Sequence, residues 1–303
     1  MLRDKITEFF VELDDFCNEF SSQLKHVPVL ESSPVKSRNR HGKLSDSEMM
    51  SIYLLFHYGQ FTNFKHFYTQ YVCKHLGDLF PNLISYVRFN ARQERILLPL
   101  MLYLKYKGLG KSRGINYIDS TLLRVCHIKR EKQHRVFKGV ASKGKSTMGW
   151  FFGFKLHLIV NDRGELLSFY LTKGNVDDRN IDVMSAMTKD IFGKLFGDRG
   201  YISKALAELL FQDGIQLITK IRKNMKQQNL SDVDAILLRK RALVESVNDE
   251  LKNICKIEHT RHRSVKGFLV NLISGLTAYC FFPKKPSLNI TPIETNQLCL
   301  WAA

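Results

Sequence analysis

Across Gly108–Gly114 the spacing of the apolar side chains changes, and no single regular architecture accommodates both sides of that change. Upstream, Ile6, Phe9, Leu13, Phe16, Phe20 and Leu24 recur at intervals of three or four, the stripe of an amphipathic helix. Downstream, Ile115, Tyr117, Asp119 and Thr121 alternate along one face of a strand. The glycine-rich, basic connector GLGKSRG between them reads as a junction. The expected organisation is a helical region over 1–107, an α/β domain over 108–285 and a C-terminal tail over 286–303.

Within the first region a Pro- and Ser-containing loop with the basic run Lys36 to Lys43 spans about His26 to Leu44. It ends at Ser45 and Glu48, the capping-box spacing that satisfies backbone donors at a helix start. A helix to about Tyr58 follows, stopped by Gly59, then a third from Phe64 to His75 and further helical segments over Leu83–Phe89 and Asn90–Lys105. Two readings fit these helices: a helix-turn-helix DNA reader, with Phe64–His75 or Leu83–Phe89 entering the groove, or a packing module whose aromatics are core.

In the second region Phe152–Val160 and Glu165–Thr172 are β-rich runs joined across Asn161–Gly164, residues that tolerate hairpin turns. A helix near Asp178–Thr188, a strand at Lys194–Gly197, a helix from Ser203, a strand at Ile215–Ile221 and a long helix over Ser231–Ile254 complete the order βββαβαβα, an α/β plan with a mixed sheet.

Composition bears on the partner. Lys plus Arg number 46 against 29 Asp plus Glu, a net charge of +17, which points to a polyanion, nucleic acid first. The excess is concentrated: Thr121–Trp150 holds eight Lys and Arg against the single acid Glu131, suited to contacts with a DNA backbone. The six cysteines never form a C-x-x-C pair, which argues against a zinc module or disulfide framework and for a reducing cytoplasm. The longest uncharged stretch, Gly267–Phe282, falls short of a membrane span, and the N-terminus does not resemble a secretory signal.

Asp119 closes an otherwise apolar strand, and Asp198 ends another in LFGDRGY. On the last helix Arg241, Glu245, Asn248 and Lys252 are spaced by four, three and four, so they share one face beside a buried stripe of Val244, Val247 and Leu251. The three acids lie far apart in sequence, so any shared site is assembled by the fold. Oxygen ligands of this kind suit Mg²⁺ or Mn²⁺, and two such ions stabilise the attacking and leaving oxygens of an in-line displacement on phosphate. His127, His134, His157, His259 and His262 neighbour Arg and Lys rather than other ligand types, and read as structural or phosphate-contacting.

On these residues the chain resembles the DDE transposases of bacterial insertion sequences, whose catalytic domain has the ribonuclease H-like fold. In that family the first acid lies on the first strand, the second just after the fourth, and the third, a Glu, on a later helix; Asp119, Asp198 and Glu245 stand in those positions. Many members carry Tyr, two spacers, Arg, three spacers, Glu, six spacers, Lys. Arg241, Glu245 and Lys252 match its last three positions, while Leu238 stands at the Tyr position. Gly174–Asn180 and Gly197–Tyr201 also resemble family segments, and the resemblance covers about 115–285.

The resemblance implies an enzyme that cleaves DNA at insertion-sequence ends and transfers the strand to target DNA. It implies two Mg²⁺ (or Mn²⁺) on Asp119, Asp198 and Glu245, with Arg241, Lys252, Lys143, Lys145 and Arg199 against DNA phosphates. Terminal inverted repeats and target DNA would be the partners, in a homodimer or larger assembly. A structure-specific nuclease of the same fold, or a non-catalytic DNA-binding descendant, are the alternative readings.

Overall fold

In the computed structural model, residues 2–24, 43–147, 149–220, 230–258 and 262–288 are described. The helical stretch holds α1 (Leu2–Leu24), α2 (Asp46–Tyr58), α3 (Phe64–His66), a π-type turn over Phe67–Val72, α4 (Cys73–His75), α5 (Tyr86–Arg92), a 3₁₀ turn over Gln93–Ile96, α6 (Leu97–Tyr103) and a second π-type turn over Leu104–Gly108. After the connector come β1 (Ile115–Cys126), β2 (Ser142–Ser146), β3 (Gly149–Asn161), β4 (Leu166–Lys173), α7 (Ile181–Thr188), β5 (Gly193–Gly197), α8 (Lys204–Gln212), β6 (Ile215–Thr219), α9 (Asp232–Arg239), α10 (Ala242–Asp249), a π-type turn over Glu250–Ile254 and α11 (Val265–Cys280).

Four sequence expectations change. The basic segment after β1 contains a strand, β2, because Lys143 and Lys145 alternate with Gly144 and pair with the start of β3. The single helix expected over Ser231–Ile254 is two helices and a π-type turn, since Lys240 is the C-cap of α9 and Arg241 the N-cap of α10. The helix expected from Asp178 starts at Ile181, with the Asn180 side chain accepting from Val183 N. The helix expected over Phe64–His75 is interrupted by six residues of π-type winding. The basic run Lys36–Lys43 lies, apart from Lys43, outside the described residues, as does the tail beyond Leu288.

The chain forms two compact units. Residues up to 108 join 251–257 and 262–282 in the first; 109–250 join 258 and 283–288 in the second. The domain expected over 108–285 therefore loses α11, which packs on α2 and α6. Phe268, Val270, Leu272, Ile273, Leu276 and Tyr279 are all buried, as are the polar Asn271, Ser274 and Thr277, so α11 is a core helix buried on nearly every side. Such a helix shows no amphipathic stripe that would tie it to one neighbour.

In the first unit the capping box at α2 is formed: Ser45 Oγ accepts from Glu48 N, and Glu48 Oε2 accepts from Ser45 N. Phe56, Phe67, Tyr68 and Phe89 are buried against one another, Tyr68 and Phe89 at 4.6 Å between ring centroids. Phe56, Phe67, Tyr68, Phe80 and Phe89 are thus core, Tyr58, Phe61, Phe64, Tyr71 and Tyr86 are partly buried, and α5 leaves Val87 and Arg88 exposed.

In the second unit β3 is the spine of a six-stranded mixed sheet. One edge of β3 pairs antiparallel with β1; the other pairs with β2 at its start and β4 over the rest. Beyond β1 the sheet continues through β5 and β6, both parallel. One face carries Ile118, Ile159, Leu195 and Ile215 and buries Val183, Met184 and Met187 of α7 with Leu206 and Leu210 of α8. Against the other face lie α9 and α10, with Tyr117 Oη donating to Leu237 O at 3.3 Å. The β3–β4 turn needs glycine at 164: φ is +69°, and a Cβ there would sit 2.1 Å from Pro286 O.

Candidate active site

Alternation along β1 decides where Asp119 points. Ile118 faces the α7–α8 core, so Asp119, like Tyr117, faces the α9–α10 side. The parallel register of β1 and β5 pairs Tyr117 with Phe196; two residues further along stand Asp119, still on β1, and Asp198, just past the end of β5. Asp198 leaves the sheet as the cap of a 3₁₀ turn, its Oδ1 accepting from Gly200 N at 2.7 Å. A Cβ at residue 200 would lie 2.8 Å from that oxygen, so glycine there is what lets the carboxylate fold over the turn.

From α10, Asn248 Nδ2 donates to Asp119 Oδ2 at 2.9 Å, and Arg241 Nη1 stands 3.6 Å from Asp119 Oδ1. Arg241 Nη2 also donates to Glu245 Oε1 at 2.5 Å. One guanidinium thus bridges the strand acid and the helix acid. Burial nonetheless pushes the Asp119 carboxyl up to about 6; Arg241 opposes this, and the negative charges of Asp198 and Glu245 add to it. Both of the other expected acids are therefore within electrostatic range of Asp119. They do not converge as ligands: among the described residues no group of three or more His, Cys, Asp or Glu is placed to hold one metal ion. The reason is local, since Arg241 holds Glu245 and the Gly200 amide holds Asp198.

Of the rival acids on that helix, Glu250 is half-buried, raised by burial and by Asp249, and lowered by Lys285. Lys252 lies in the π-type turn, whose wider winding ends the α-helical spacing that put it on the face of Arg241 and Glu245.

Below the sheet end, Tyr201 is buried, and its hydroxyl is raised well above the usual range by burial and then by Asp178, Asp119 and Asp198. Asp178 is a further acid that the sequence did not single out. Lys155 Nζ lies 3.2 Å from it and also donates to Val176 O at 2.8 Å. His157 is fully buried, bonded to Thr172 Oγ1 at 2.9 Å and lowered to about 4 by burial, so it is neutral and structural. His127 accepts from Lys129 N, His134 stacks on Phe137, and His262 packs on Phe268; His259 lies outside the described residues.

The basic residues expected at DNA divide by position. Lys143 and Lys145 stand on β2 with their ammonium groups 4.9 and 5.8 Å from the ring centroid of Trp150. Arg199 is exposed in the turn after Asp198. Helix spacing puts Asn248 on the Arg241 face and gives it no role; its bond to Asp119 depends on a tertiary approach that such spacing does not encode.

A mixed α/β sheet with strand-end carboxylates, a helix carboxylate and a lysine-bearing hairpin has the donor chemistry of proteins that act on phosphodiesters. The chain belongs to the transposase DDE domain family, whose model matches residues 109–265. No curated protein matches it. Among solved structures it is similar to the piggyBac transposase in a synaptic complex with hairpin DNA, at 9% identity and a TM-score of 0.45, covering 96% of this chain and 76% of that one.

Proposed function

We propose that this chain is the transposase of an insertion sequence, cleaving DNA at the element's ends and joining the freed strand to target DNA. The observation that carries this reading is the charge environment of Asp119: within a matched transposase DDE domain, the acids expected second and third in the site both act on it. The strand order β4–β3–β1–β5–β6, with the first three strands antiparallel and the last two parallel, supports a ribonuclease H-like catalytic domain.

The donor set fits hard divalent cations, because it is carboxylate oxygen only and leaves Asp119 short of positive charge despite Arg241. Asp119, Asp198 and Glu245 would hold Mg²⁺ or Mn²⁺, in two sites. Bound cations would supply charge stabilisation to the phosphate oxygens. Water opens the first phosphodiester, and the 3′-hydroxyl then attacks the target. Asn248 keeps Asp119 oriented, and Arg241, freed from its carboxylates, takes a DNA phosphate. Lys143, Lys145 and Arg199 hold the backbone near Asp198. Lys252 has only the signature spacing in its favour and, beyond the regular helix, takes no phosphate in this reading. The helical unit reads the terminal repeats, and two copies or more pair the ends in the cytoplasm.

The test is cleavage of DNA carrying the terminal repeats. Asp119→Asn, Asp198→Asn and Glu245→Gln should each abolish Mg²⁺-dependent cleavage while DNA binding persists, and Asp249→Asn and Glu250→Gln should cleave. Normal cleavage by Glu245→Gln would remove that acid from the site. Cleavage by the unaltered chain without joined products would make it a nuclease instead.

A further inference from the structure

The groove beside Asp198 holds a feature that phosphate contact alone does not require. It encloses about 490 Å³ and is lined by Lys143, Lys145, Trp150, Lys155, Arg179 and Gly200, among others. Gly200 is the residue whose amide holds the Asp198 carboxylate, so the groove abuts the candidate acid. Trp150 is 56% exposed on the β2–β3 hairpin, although a tryptophan left in water forgoes a large burial gain. Lys145 is its direct cross-strand partner, and Lys143 lies on the same face of the hairpin.

The charges of the groove sort in a telling way. Asp177 is tied to Arg179 by two side-chain bonds of 2.7 and 2.9 Å, and Asp178 to Lys155 at 3.2 Å. Among the described residues no carboxylate lies within ion-pair distance of Lys143 or Lys145, whose ammonium groups stand over the Trp150 ring instead. An exposed indole whose ring is overlain by two cations without carboxylate partners offers what an unpaired nucleotide needs once those long side chains turn to its phosphates: a surface for its base and donors for its phosphates. A duplex, with its bases stacked internally, offers phosphates to the lysines and nothing to the indole.

We infer that the Trp150 groove binds an unpaired nucleotide of the DNA substrate, the base stacked on the indole and its flanking phosphates on Lys143 and Lys145. This rests on the proposed reading of the chain as a DNA-processing enzyme and adds which conformation of DNA it holds. The groove thereby favours DNA opened next to the scissile phosphate over intact duplex.

Trp150 and Trp301 are the only tryptophans, so Trp301→Phe leaves Trp150 as the sole indole fluorophore. The probes are a short fully paired duplex and the same duplex with one unpaired thymine, titrated in EDTA against the full chain. The thymine-bearing duplex should quench Trp150 fluorescence and bind more tightly than the paired one. Trp150→Ala should weaken that binding about tenfold, with Trp150→Phe restoring most of it and the paired duplex unaffected. Equal binding of both duplexes, or equal losses on both for Trp150→Ala, would overturn the inference. Because these measurements need no cleavage, the failure of catalysis at terminal repeats would leave their outcome intact, and the reverse also holds.

Discussion

Asp119 is an acid placed where its charge is poorly compensated, and that has a sign that can be measured. Burial pushes its folded carboxyl up to about 6 from the ordinary 3.8, so between those values the folded chain binds more protons than the unfolded one. Without metal, stability therefore falls as pH rises through that window, by about 3 kcal/mol at most. Urea midpoints between pH 4 and 7 should show the decline, and Asp119→Asn should flatten it; a decline unchanged in that variant would assign it to another group. Asn248→Ala removes a donor from a part-buried carboxylate and should destabilise by about 1–3 kcal/mol, read in the same melts. At this scale the sequence proposes the acids and conceals the contacts around them. Asp119, Asp198 and Glu245 stand out by type and element, whereas the bridging of Asp119 and Glu245 by Arg241, and the Asn248 contact, follow from how α10 lies on β1.

Elements were legible where local chemistry sets them. The α2 capping box is two reciprocal bonds between residues three apart, and Ser45→Ala should cost about 1 kcal/mol of thermal stability. The β3–β4 hairpin followed from Asn161–Gly164 in the same way. Breaks inside a continuous pattern were not legible: Leu237, Leu238, Val244, Val247 and Leu251 remain buried across the interruption at Lys240–Arg241 and into the π-type turn. Apolar spacing reports which side is buried, and a helix that breaks and resumes on the same side keeps it. The onset of the π-type turn at Glu250 separates two residues, Arg241 and Lys252, that the signature treats alike. Arg241→Ala should flatten the salt dependence of DNA binding by about one phosphate contact, while Lys252→Ala, beyond the regular helix, should leave the slope unchanged. Equal flattening by both would show that the π-type turn does not displace Lys252 from the backbone.

For the whole molecule, the first unit is discontinuous, built from residues before 109 and from α11. Its core helix α2 is buried from Met49 to His57, and α11 covers part of that surface. A fragment of residues 1–107 should therefore bind a hydrophobic dye and unfold without a sharp transition, whereas the intact chain should do neither. A cooperative transition with no dye binding would show that α11 is dispensable to that unit. The order of synthesis sharpens the point. The segments from α1 to α6 leave the ribosome first and wait for α11 until the whole intervening unit has been translated, roughly ten to thirty seconds at ordinary elongation rates. Through that interval the sheet unit can form all but its 283–288 segment while the helical surface destined for α11 stays bare, an obvious target for a chaperone on the nascent chain.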